Sequence, residues 1–88
     1  MKTIMISVTD SEKRFSYDLE IPLGLAVGKL KADMMEALNG QRDWPGLPSE
    51  GTALFCARLG RTLRETETAE EAGVWNGDEL IFTKERIK

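Results

Sequence analysis

The chain has no histidine, a single cysteine (Cys56) and three prolines among its 88 residues. Histidine is the side chain that most often moves protons near neutral pH, and it is the commonest metal ligand. Without an imidazole, neither a Ser-His nor a Cys-His nucleophile pair can be assembled. One thiol makes neither an intrachain disulfide nor a cysteine-rich zinc site. No apolar run approaches the roughly 18 residues that span a bilayer, and none near the start has the length of a signal-peptide core. A free Cys56 without an export signal fits a reducing cytoplasm. Twelve basic and fifteen acidic residues give a net charge of −3, the wrong sign for phosphate-driven nucleic-acid binding. These absences point to a binding protein, with no catalytic residue, cofactor or metal expected and no direct membrane insertion.

What is present suffices for one core. Area scaling gives a folded surface near ~5,200 Å² against ~14,000 Å² unfolded, so about 64% is buried, with little room for a deep substrate cavity. The 41% hydrophobic content is that of a globular chain. We expect a single domain over residues 1–88, with an ordered core at about 3–83 and a short charged tail at 84–88.

Ile4, Ile6 and Val8 alternate with Met5 and Ser7, the period of a half-buried strand. A polar turn at residues 10–14 leads to Phe15, Tyr17, Leu19 and Ile21, alternating with Ser16, Asp18 and Glu20. The two runs predict an antiparallel hairpin with one oily face. Pro22 ends the second strand because it has no amide hydrogen for the ladder. Val27, Leu30, Met34 and Leu38 then form one helical stripe, which leaves Lys29, Lys31, Asp33 and Glu36 in water. Gly24 is a poor helix start, and Asn39-Gly40 supplies a stop through a left-handed glycine.

Residues 41–52 hold Pro45, Gly46, Pro48 and Gly51 and read as a loop. A strand over 53–59, a short return at Thr62-Leu63, one helical turn within 65–71, an Asn76-Gly77 turn and a last strand near 80–83 complete the order. The fold class is α+β, a mixed four- to five-stranded sheet packed on one main helix. A crossover from the second strand through the helix to the third can place strands parallel.

This order, the Val27-x-x-Leu30-Lys31-x-x-Met34 spacing and Gly60-Arg61-x-Leu63 resemble ubiquitin and the β-grasp fold from Ile4 to Phe82. More narrowly, Tyr17-Asp18-Leu19-Glu20-Ile21-Pro22 and Gly73-Val74-Trp75-Asn76-Gly77-Asp78-Glu79-Leu80 are similar to segments of the bacterial YukD/EsaB family of type VII secretion accessory proteins. The resemblance implies a non-catalytic, cytoplasmic accessory or regulatory component. Its partner would be another protein of the secretion machine, and the chain itself a monomer or weak homodimer. The alternative is a ubiquitin-like modifier or sulfur carrier. That chemistry needs a C-terminal Gly-Gly, and no glycine follows Gly77. Ala69 stands where the relatives place a larger apolar residue.

Laid on ubiquitin without gaps, strand three points Leu54 and Cys56 at the helix and Phe55, Ala57 and Leu59 outward. With Ile81, Thr83 and Met5 they form a candidate partner-binding patch on the sheet. The alternative is a register one residue off, which flips every side chain, or a C-terminal tail that covers the patch. Trp44 and Leu47, in the proline-rich loop, are a secondary candidate for a partner anchor. Trp75 reads as packing and Cys56 as a small core residue. The acidic residues around 65–79 and Arg58, Arg61 and Arg64 read as wet faces.

Overall fold

A computed structural model describes residues 2–12, 15–41 and 51–84. Trp44 and Leu47 lie outside the described residues. The elements are β1 (Thr3–Asp10), β2 (Ser16–Pro22), α1 (Val27–Leu38), β3 (Thr52–Cys56), β4 (Arg61–Thr62), α2 (Ala69–Ala72) and β5 (Glu79–Lys84). They build one five-stranded sheet in the order β2-β1-β5-β3-β4. The mixed sheet on one main helix is the expected class. Its parallel pair is β1 with β5, in register Ser7 to Glu79 and Val8 to Leu80. The crossover through α1 leads from β2 to β3, which run in the same direction without being neighbours, each antiparallel to the central β1–β5 pair.

The predicted alternation sets the layers. Ile6, Val8, Ile21, Leu54, Cys56, Leu80 and Phe82 are buried on the sheet face that meets Val27, Leu30, Met34 and Leu38 of α1. Burial of such side chains at about 1.5–3 kcal/mol each is the main source of stability. Ala69 is fully buried without a larger side chain.

Four details differ from the sequence expectation or add to it. Strand β3 ends at Cys56, not Leu59, because residues 57–60 reverse the chain. The Gly60 amide donates to the Cys56 carbonyl at 2.9 Å, with Gly60 at φ 68°, a conformation open to glycine. The stop after α1 is not a left-handed glycine: Asn39 is right-handed and its amide donates to Met35 and Glu36 carbonyls. The helix start has no side-chain cap. The Val27 and Gly28 amides instead donate to the Glu67 and Glu65 carbonyls, at 2.8 and 3.0 Å. These are two of the four donors that every helix start leaves over. A Cβ on Gly28 would sit 3.3 Å from the Glu65 Cβ, so glycine permits the approach.

The fourth is Lys31, which is buried at 5% exposure rather than wet. It follows Leu30 on the flank of the apolar stripe, and its aliphatic stem packs while the ammonium reaches across the molecule. Lys31 Nζ donates to the Thr52 carbonyl at 2.7 Å and to Glu65 Oε1 at 3.3 Å. One ammonium therefore ties α1 to the start of β3 and to the segment that caps the helix. Lys31→Met keeps the stem and removes both bonds. Hydrogen bonds to charged groups contribute about 1.5–3 kcal/mol, so urea unfolding should show a loss of that size; a loss below about 0.5 kcal/mol would assign Lys31 to packing alone.

Candidate functional site

The outer sheet face, away from α1, carries Met5 and Ser7 of β1, Glu79, Ile81 and Thr83 of β5, and Phe55 of β3. Phe55 and Ile81 are direct cross-strand partners, and Thr83 pairs with Ala53. Phe55, Ile81 and Thr83 are only half exposed, and the neighbouring Thr9 is buried. Ala57 is exposed but lies in the turn after β3, where its amide donates to the Glu79 carbonyl at 3.1 Å. Leu59 is half buried and packs on the core cluster, so it does not join the face. Met5 is also set apart. The register places Ser7 beside Glu79 and Thr9 beside Ile81, so the Ser7–Glu79 row stands between Met5 and the Phe55–Ile81 pair. The predicted patch is thus divided by a carboxylate.

Among the described residues, the exposed large apolar side chains are Met5 at 45% and Trp75 at 65%. They share one end of the sheet. The Met5 amide donates to Asn76 Oδ1 at 2.8 Å, and the Gly77 amide donates to the Met5 carbonyl at 2.7 Å. Trp75 is the correction here, since it is not packing inside. Val74 fills the buried slot at 4% exposure, and the chain then turns outward through Asn76 and Gly77. The available signal was its position directly before that turn, with the buried slot already taken.

Trp75 is held from below. The Arg58 guanidinium carbon lies 4.1 Å from the centre of its ring, a cation–π contact. Asp78 fixes that guanidinium in a fork, with Arg58 Nε donating to Oδ1 at 2.8 Å and Nη2 to Oδ2 at 3.0 Å. Nη2 also donates to the Gly73 carbonyl. The Trp75 amide donates to Asp78 Oδ2 at 2.8 Å, and the Cys56 thiol lies 3.8 Å from the same oxygen. Asp78 is itself buried. The indole is therefore exposed on one side and pre-positioned on the other, which lowers the ordering cost of binding.

Other charges of this end are also engaged. Arg61 donates to both oxygens of Glu67, at 2.8 and 3.1 Å. Glu71 and Thr68 form a reciprocal cap at the start of α2. Glu65 accepts from Lys31. Asp78 and Glu67 are thus clasped by two of the arginines, while Glu65, Glu70, Glu71 and Arg64 are exposed, as a solvated face requires. Among the described residues no three acidic or thiol side chains converge as metal ligands. No helix there is long and apolar enough to cross a membrane.

A family model for YukD, a protein of the WXG100 protein secretion system (Wss), matches residues 3–82. The chain belongs to the YukD family. The fold of this family member is that of ubiquitin. It is similar to a Caldiarchaeum subterraneum ubiquitin, at 23% identity over 98% of both chains and a TM-score of 0.73. It is similar at the same TM-score to the ubiquitin-like domain of Plasmodium falciparum Dsk2, at 18% identity over 96% of this chain and 100% of that one. A ubiquitin-like domain of an Arabidopsis thaliana protein matches at 16% identity, covering 99% of this chain and 82% of its own, with a TM-score of 0.73. At these identities the likeness is one of fold. No curated protein matches the chain.

Acid should loosen the clasps of this end. The Arg61 guanidinium and the Arg64 amide hold the Glu67 carboxyl down at about 2, against its usual 4.5. The Arg58 fork lowers Asp78 from its usual 3.8 despite the opposing effect of burial. Both acids bind protons more weakly folded than unfolded, so their stabilisation is complete above about pH 4.5 and is lost as pH falls toward about 2. Thermal unfolding followed over that range should show a falling Tm. The fall should be shallower in Glu67→Gln, and equal slopes would remove Glu67 from the acid response.

Proposed function

We propose that the chain is a non-catalytic docking module of a bacterial type VII, WXG100-type secretion system. It works in the cytoplasm by binding another protein component of the machine. The observation that carries this reading is the exposed Trp75, braced by Arg58 and Asp78 and standing at the Met5 end of the sheet. Tryptophan, arginine and a flanking apolar residue are the composition of interface hot spots, and a soluble domain gains nothing in folding from a tryptophan left in water. Family membership supports this choice of system. Phe55, Ile81 and Thr83 on β3 and β5, with Ala57 in the turn after β3, add a second contact beyond the Ser7–Glu79 row. The half-buried Phe55–Ile81 pair contributes shape more than exposed area.

The test uses the host's own secretion. Trp75→Asp alters a side chain in water, so the protein should keep its circular dichroism spectrum and its cellular level. Secretion of WXG100 proteins should drop at least tenfold. Phe55→Asp, also folded, should give a smaller drop. Normal secretion with folded Trp75→Asp at the natural level would overturn the assignment of this surface.

A further inference from the structure

A second surface lies at the free edge of the sheet and shares no residue with the docking face above. β2 is a terminal strand in the order β2-β1-β5-β3-β4. Its backbone parity follows from β1. Met5 and Ser7 turn their amides toward the β5 side, donating to Asn76 Oδ1 and the Asp78 carbonyl. Their partners across the hairpin, Glu20 and Asp18, are therefore the pairs without mutual backbone bonds. Hence the N–H and C=O groups of Asp18 and Glu20 point away from the sheet, and among the described residues no strand lies there. Pro22, of the same parity, brings a carbonyl and no donor.

Beside this edge runs a groove of about 100 Å³ between β2 and α1. Leu19, Ile21, Leu30, Met34 and Ala37 line it, with Glu20 and Asp33 at its rim. β2 carries two carboxylates and no cation, and the nearby Lys29 is committed to Asp33 at 3.0 Å. We infer that this edge receives an extended peptide segment of alternating apolar and basic residues, added to the sheet as a sixth strand. Residues opposite Asp18 and Glu20 would share their sheet face, where Lys or Arg makes the favourable cross-strand pair. The residue between them points to the opposite face and enters the groove against Leu19 and Met34. Backbone bonds give the affinity and the alternation gives the selectivity. A second copy is the wrong occupant. Any antiparallel β2–β2 register that aligns these residues sets carboxylate against carboxylate, which is destabilising.

The probe is a blocked ten-residue peptide of alternating lysine and valine at about 150 mM salt, followed by amide NMR and hydrogen exchange. Binding should slow exchange at Asp18 and Glu20 and shift Leu19, Met34 and Ala37, leaving Met5 and Trp75 unmoved. The Asp18→Lys, Glu20→Lys double variant should lose at least tenfold in affinity for this peptide and gain affinity for an alternating glutamate-valine peptide. Ala37→Arg, at an exposed helix position, should weaken both by filling the groove. The inference fails if a lysine-serine peptide binds as well as lysine-valine, or if the shifts map to the Met5–Trp75 end. It also fails if sedimentation shows a dimer that the double variant dissolves. Trp75→Asp should leave peptide binding unchanged, which separates this outcome from that of the docking face.

Discussion

The buried carboxylate of Asp78 stands at the junction on which the sheet depends. β5 must enter between β1 and β3, strands far apart in the sequence, parallel to one and antiparallel to the other. Closing so long a connection costs little more than closing a short one, about 0.6 kcal/mol per doubling of length. The demanding requirement is to set the register where β5 starts. There the Asp78 carbonyl accepts from the Ser7 amide, while its side chain accepts from Arg58 and from the Trp75 amide. One residue thus addresses β1, the β3–β4 turn and the segment leading into β5. A buried carboxylate is tolerable only with this many donors, because burial of an unpaired charge is costly.

The same economy explains why two arginines of the second half are turned onto the protein's own groups. Arg58 of the β3–β4 turn and Arg61 at the start of β4 reach the carbonyl end of α2, at Gly73 and Ala72, while gripping Asp78 and Glu67. Cations at a helix C-terminus meet its unsatisfied carbonyls. A helix as short as Ala69–Ala72 would not persist alone. It is held by a reciprocal cap at one end and two guanidinium groups at the other. Among the described residues the indole and the methionine are the large apolar groups left exposed, beside the acids of β2.

Local periodicity made the first half of the fold legible. The alternation from Ile4 to Ile21 and the Val27-Leu30-Met34-Leu38 stripe specify hairpin, helix and facing directly, and the β-sheet register agrees with them. What stayed hidden depends on contacts far apart in sequence. Lys31 is indistinguishable from a wet lysine until Thr52 and Glu65 are brought to it, 21 and 34 residues away. The helix start has no capping side chain to read, because its donors are met by the backbone at 65–67. The face of strand three was legible too, but not the continuity of the patch. That depends on the stagger between β1 and β5, which puts Glu79 between Met5 and Ile81.

The two edges of the sheet differ for a physical reason. An exposed strand edge invites unwanted pairing, and proteins blunt it by shortening it or by placing charge and proline on it. β4 is blunted by length, being two residues long. β2 is seven residues long and cannot be protected that way; it carries Asp18, Glu20 and Pro22 instead. Charge is a selective guard, since it repels only strands of like sign. Neutral residues would leave the edge open to copies of itself, and a bulge or a covering loop would close it to everything. Two carboxylates beside an apolar groove reject the acidic edge of a second copy and still accept a basic strand. The residues that keep this sheet from growing by self-association therefore also define the one kind of strand that can extend it.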